Sequence, residues 1–520
     1  MMHSRILFLF GLISALSACS RESQVSKNAR PAGKDVSSVP GTETASFNTE
    51  AYDHQPENAF VNALAEPQST FSIDVDTASY ANVRRLLRHG QLPPKGAIRI
   101  EELVNYFTYE YPEPSDGQPF SVNTEIADCP WQAEHLLVRI GLKGKSLSRK
   151  ERPACNLVFL LDVSGSMMDE AKLPLVKAAM KLLVAELRKE DRIAIVIYAG
   201  DSGLALPSTL VQQATKIRDA IDELQAGGST NGAAGIHLAY QTAEENFIAD
   251  GINRVILCTD GDFNLGTTSQ SELVDLITAK AKSDVFLTVL GFGDGNLKDS
   301  TMEKLANKGN GNYAYIDSLL EARKVLVEQS GSTLVTIAKD VKIQVDFNPR
   351  HVQSYRLIGY ENRLLTNQDF RDDAKDAGEI GAGHTVTAFY EIIPADASGP
   401  IAAHRESEFV TTRVAAPEDS ETMLTVNLRY KLPTATDSSE FQVRVDKRRI
   451  ENAPSQDFQF AAAIVGYGML LRQSEYLGST TWDWVAETAQ RNQGSDSQSL
   501  RIEFVELARL AKKLNDASTD

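Results

Sequence analysis

Three short stretches combine oxygen-bearing side chains with glycine. They are Asp162-Val163-Ser164-Gly165-Ser166, Gly227-Gly228-Ser229-Thr230-Asn231-Gly232 and Thr259-Asp260-Gly261-Asp262. Two carboxylates, Asp162 and Asp260, and three hydroxyls, Ser164, Ser166 and Thr230, form a hard donor set. With waters it suits six-coordinate Mg²⁺, and Mn²⁺ or Ca²⁺ are the other ions it would take. Ser229 is the alternative to Thr230. No thiol or imidazole cluster accompanies them, as zinc would require. Glycines let the backbone come close to an ion. A hydrolase would need a nucleophile and a base within reach. Ser164 and Ser166 have no neighbouring histidine in sequence, no Gly-x-Ser-x-Gly elbow occurs, and the only spare acids near the loops are Asp169, Glu170 and Asp262. The expectation is a binding site and not an enzyme.

Other chemical motifs reduce to simpler readings. Asp260, Asp262 and Asn264 resemble spaced calcium ligands, but Leu265 stands where an EF-hand needs Gly and Glu272 falls one place late. Asp74-Val75-Asp76-Thr77 has the two acids of an aspartyl phosphatase with its threonine misplaced, and helix capping is the expected role. Asp294 and Asp299 read as loop and capping residues, His237 as a helix-face residue, and Gly291-Phe292-Gly293 as a plain turn.

The elements around the three loops place them. Asn156–Leu161 is an unbroken apolar run, as a strand buried on both faces should be. Helical spacing follows over 173–187, then a buried strand over 193–198 and a weaker one over 204–210 whose Pro207 suits a sheet edge. Helices over 214–224 and 233–247 alternate with strands over 255–258, 285–290 and 313–316. That order predicts a doubly wound, mostly parallel sheet with its site at the strand C-termini. Before it, strands over 71–76, 120–127 and 136–142 and helices over 80–89 and 100–107 form a small α+β unit. After it, strands over 341–347, 385–393, 424–430 and 441–445 read as antiparallel, followed by a buried helix over 458–471 and a last amphipathic helix near 500–514. The two flanks are expected to pack together as a β-rich support.

The chain has 520 residues, 42% hydrophobic, with 70 acids against 53 bases and a net charge of −17. Such a balance suits a large core and does not suit binding to nucleic-acid backbones. Arg5 precedes the apolar run Ile6–Ile13, which has the length of a signal h-region. Leu16-Ser17-Ala18-Cys19 then resembles the bacterial lipobox. That resemblance implies cleavage after residue 18, lipid on the Cys19 thiol, and attachment to a bacterial membrane through acyl chains. Ser20 after the cysteine implies the outer membrane, with the globular part in the periplasm or at the cell surface. Residues 19–68 read as a Ser/Thr/Pro-rich tether able to reach roughly 40 Å. Sections 69–150, 151–338 and 339–520 follow. Cys129 and Cys155 border the central section; a disulfide between them and two free thiols are both open readings, while Cys258 reads as a buried thiol.

The three loops in this order, each on its expected element, resemble the von Willebrand factor type A domain with an intact metal-ion-dependent adhesion site. The stretches Phe71–Tyr80 and Arg99–Phe107, together with the region after 339, resemble the flanking modules of bacterial lipoproteins that carry one such domain. The resemblance implies metal ligation by Ser164, Ser166 and Thr230, and by Asp162 and Asp260 directly or through water. It also implies a partner protein whose acidic residue completes the coordination. A Mg²⁺-dependent hydrolase and an envelope scaffold with an unused site are the rival readings.

Overall fold

Before the central section lie β1 (Val61–Asn62), β2 (Gln68–Ser72), β3 (Phe120–Asp128) and β4 (Leu136–Gly144), with helices Ala78–Arg88 and Ile100–Asn105 between β2 and β3. The central section contributes β5 (Cys155–Asp162), β6 (Arg192–Tyr198), β7 (Ser202–Leu210), β8 (Ile252–Thr259), β9 (Val285–Phe292) and β10 (Tyr313–Ile316). The last section adds β11 (Thr336–Phe347), β12 (Val352–Ile358), β13 (Leu364–Leu365), β14 (Gly378–Gly381), β15 (Thr385–Pro394), β16 (Thr422–Lys431) and β17 (Ser438–Asp446), then helices Gln456–Arg472, Trp482–Arg491 and Leu500–Thr519. This is a computed structural model. It describes residues 50–519 apart from 54–55, 116, 149, 201, 230–231, 262–269, 295–296, 330, 332–333, 398–419, 452 and 497.

The central sheet runs β10-β9-β8-β5-β6-β7. Its pairings are parallel except for β7, which is antiparallel to β6 at the edge, where Pro207 removes no needed donor. β5 is buried along its whole length, which explains its unbroken apolar run. Helices Leu173–Glu186 and Ala214–Glu223 cover one face, and helices Gly232–Glu245, Gln270–Ala281 and Asp299–Lys308 the other. The expected doubly wound α/β architecture is present.

The support takes strands from both flanks. One sheet runs β1-β12-β15-β4-β3 and the other β13-β2-β11-β16-β17, with β14 also on β11. Ile140 of β4 faces Ala388 of β15, and Phe71 of β2 faces Ile343 of β11. Phe71, Ile140, Ile343, Tyr390 and Val426 share one core between these sheets. A second core joins helices Ala78–Arg88 and Ile100–Asn105 to the three C-terminal helices through Tyr80, Phe107, Phe460 and Phe504. Ala78 and Ala81 of the same first helix also enter the core of the central domain.

Several expectations change. The strand expected over 71–76 ends at Ser72. Residues 56–68, expected within the tether, are packed: Val61 pairs with Tyr355, Ala63 is fully buried, and Phe60 meets His135 and Tyr476 edge-on. Their partners lie far along the chain, so local composition could not reveal them. Cys129 and Cys155 are free thiols in different cores, Cys129 beside Trp131 and Cys155 at the start of β5 with its N–H on Asp191, so no bridge joins them. Cys258 is buried in β8, as expected. Cys19 and the 1–18 leader lie outside the described residues. Among the described residues no helix is long and apolar enough to cross a membrane.

Candidate metal centre

Strand order reverses at β5: the chain builds outward to β6 and β7 on one side, then returns to place β8 on the other. Such a switch point leaves a crevice at the strand C-termini. Leu161 is level with Cys258, so Asp162 and Asp260 leave adjacent strands at the same sheet edge. The second loop is stitched to the first by backbone. Gly165 N–H donates to Gly228 O at 3.0 Å, and Gly227 N–H donates to Val163 O at 2.7 Å. Gly228 has φ +87°, a left-handed conformation that a Cβ would strain.

The side chains grade from core to rim. Asp162 is fully buried, Ser164 is 2% exposed, and Ser166 is open to solvent. Ser164 N–H donates to Asp162 Oδ1 at 2.8 Å, and the Ser164 and Ser166 hydroxyl oxygens are 3.0 Å apart. Asp260 is fully buried and accepts from Lys172 Nζ at 2.8 Å. Burial pushes the Asp162 carboxyl up to about 6; hydrogen bonds from Ser164 pull it back, and the Asp260 charge adds to the rise. Among the described residues Asp162 Oδ2 is buried with no hydrogen-bond partner. An orphaned carboxylate oxygen is costly, and a hard cation beside the two serines would satisfy it. The residues therefore fit a divalent ion. The structure brings together Asp162, Ser164, Ser166 and Asp260. Thr230 and Asp262 lie outside the described residues, with Ser229 exposed beside Gly200.

Sequence reasoning missed Lys172. Its place as a lone cation between the first loop and an apolar helix was the available signal. The residue precedes helix Leu173–Glu186, and its stem lies over Gly293 (φ +73°), whose carbonyl accepts from the Tyr315 hydroxyl. Gly293 is thus more than a plain turn, because a methyl there would overlap the lysine stem.

A second acidic group lies elsewhere. Oxygens of Asp74, Asp76 and Glu303 fall within 4.8 Å of one another. Arg363 reaches all three, at 3.0, 3.2 and 3.4 Å, and Tyr313 N–H donates to Asp76 at 2.7 Å. A guanidinium already supplies the cation there. The capping role expected of Asp74–Thr77 is not what forms: Thr77 makes no side-chain cap bond, and Ser79 N–H is met by Glu102. Asp299 likewise holds Arg99 and the Tyr313 hydroxyl. Those partners are remote in sequence. His237 is exposed on its helix, as expected.

Family models match along most of the chain. The von Willebrand factor type A domain matches residues 156–329, a von Willebrand factor segment matches 46–139, and the C-terminal domain of uncharacterized protein YfbK matches 332–514. The chain is 42% identical over 485 residues to the uncharacterized protein YfbK of Escherichia coli, covering 92% of this chain and 84% of that protein. Human inter-alpha-trypsin inhibitor heavy chain H3 is 27% identical over 173 residues, 31% of this chain and 19% of that protein. A solved von Willebrand factor type A protein from Catenulispora acidiphila has a TM-score of 0.41 at 14% identity, covering 74% of this chain and 89% of that one.

Proposed function

The chain belongs to the family of the uncharacterized protein YfbK, with a von Willebrand factor type A domain between two flanking modules, and from that premise we propose that it docks a partner protein through a divalent cation. The domain implies a protein-interaction or adhesion-type role. In the finer reading, Asp162, Ser164, Ser166 and Asp260, with Thr230 from the glycine-rich loop, hold Mg²⁺. Bound there, the ion supplies a Lewis-acidic point that takes a carboxylate from an acidic residue of the partner. The observation that carries this reading is the buried Asp162 Oδ2, without a hydrogen-bond partner among the described residues, beside the paired serine hydroxyls. Ser166 stands open at the rim, where a guest would arrive.

The lipobox-like Leu16–Cys19 supports a lipid anchor at Cys19 in a bacterial membrane, the outer one by the residue that follows. The hydrolase reading lacks support from the site. The two serines face each other, and no imidazole is bonded to either among the described residues. An unused site within a scaffold would bind the ion yet give no chelator-sensitive crosslink to a partner.

In a thermal melt, Mg²⁺ or Mn²⁺ should stabilise the wild-type chain. Asp162→Ala with Ser164→Ala should remove that shift while keeping the far-UV circular dichroism. No metal-dependent shift in the wild type up to millimolar ion would refute docking through a cation. Crosslinking with and without chelator then separates a partner-binder from a scaffold.

A further inference from the structure

We infer that Lys172 makes this centre selective for an anionic guest by holding Asp260 as a neutralised carboxylate. The inference rests on the docking reading above and names what sets its preference. Lys172 Nζ sits 2.8 Å from Asp260 Oδ2, with both side chains out of bulk water at 11% and 0% exposure. Its placement is built: the lysine N–H bonds Asp169 O at 3.0 Å, its carbonyl starts the helix by accepting Val176 N–H at 2.9 Å, and its stem lies against Gly293.

The two buried carboxylates are therefore unequal. Asp260 already carries an ammonium, whereas among the described residues Asp162 pairs with no cation. Asp162, Asp260 and Lys172 sum to one negative charge, so a divalent ion leaves the buried group with one net positive charge. Without the ammonium the two carboxylates alone would neutralise the same ion outright. In a buried setting of low effective dielectric, that unit charge is felt strongly by an arriving carboxylate. The lysine thus lowers affinity for the ion and raises affinity for the ion's guest. These effects have opposite signs, which a merely structural lysine would not produce.

The test uses the full chain with Mn²⁺ as the ion and sodium acetate as the guest, read by water-proton relaxation against sodium chloride at equal ionic strength. Lys172→Met should bind Mn²⁺ about tenfold more tightly and lose about tenfold in acetate affinity. Lys172→Arg, which keeps the charge, should retain the acetate response. Gly293→Ala, which displaces the lysine stem without removing any charge, should shift both constants in the same directions as Lys172→Met. It carries the test if Lys172→Met does not fold. Unchanged acetate affinity in both Lys172→Met and Gly293→Ala, or weaker Mn²⁺ binding in them, overturns the inference and leaves docking intact. Failure of the wild type to bind Mn²⁺ overturns both.

Discussion

Asp162 and Asp260 leave the same sheet edge into different surroundings, and the difference comes from single neighbours. Ser164 N–H and an unmatched oxygen define one; the Lys172 ammonium defines the other. The identities of these acids were legible because oxygen donors next to glycine after an apolar run have few other uses. Lys172 was not, since its partner is 88 residues away. Glu101 shows the same limit. It is 2% exposed, its Oε2 has no hydrogen-bond partner among the described residues, and burial followed by the Glu361 charge pushes its carboxyl up to about 8. Glu102 is pushed to about 7 by burial, despite Arg99. A raised carboxyl holds its proton in the fold. Its contribution to stability is full below the ordinary carboxylate range and is lost as pH rises through about 8. The melting temperature of the wild type should fall between pH 6 and 9. Glu101→Gln should flatten that fall and melt a few degrees higher at pH 9, as followed by circular dichroism.

Elements were read well where one period dominates. The apolar run of β5, the Pro207-bearing edge strand β7 and the buried helix Gln456–Arg472 all follow from patterning. β12 escaped because Arg356 interrupts its pattern; that arginine is buried where Glu391 of β15 pairs with it at 2.8 Å and the Tyr476 ring lies beneath it at 4.0 Å. Helix Gly232–Glu245 follows the glycine-rich loop and lies close against the strands that end in the site. A Cβ on its Gly235 would meet Tyr198 Cβ at 2.8 Å and Leu160 Cδ1 at 3.1 Å. Gly235→Val should cost about 1–3 kcal/mol in urea unfolding by overpacking. Because Asp162 and Tyr198 end the two strands it would displace, the same variant should weaken Mn²⁺ binding in a titration.

Across the whole molecule, one buried cation ties three sections together. Arg84, 1% exposed, reaches Asp317 at 2.5 Å, Glu321 at 2.7 Å and Glu503 at 3.0 Å, and donates to the Tyr106 hydroxyl at 2.9 Å. Removing one partner of a buried ionic group strands the others, so Arg84→Met should cost about 3–5 kcal/mol in urea unfolding. The variant's domain and support should also begin to melt separately in calorimetry. The described residues form one compact unit, consistent with that linkage. The sequence by itself determined the fold class of the central domain and the residue types at its edge. Strand burial and hard-donor chemistry act over a few neighbouring residues. Only the tertiary structure decided that β2 and β4 complete sheets begun hundreds of residues later, that Arg363 occupies the Asp74–Asp76 cluster, and that Lys172 sits on Asp260. Those outcomes depend on which distant groups burial forces together, and charge pairing across such distances leaves no periodic trace along the chain.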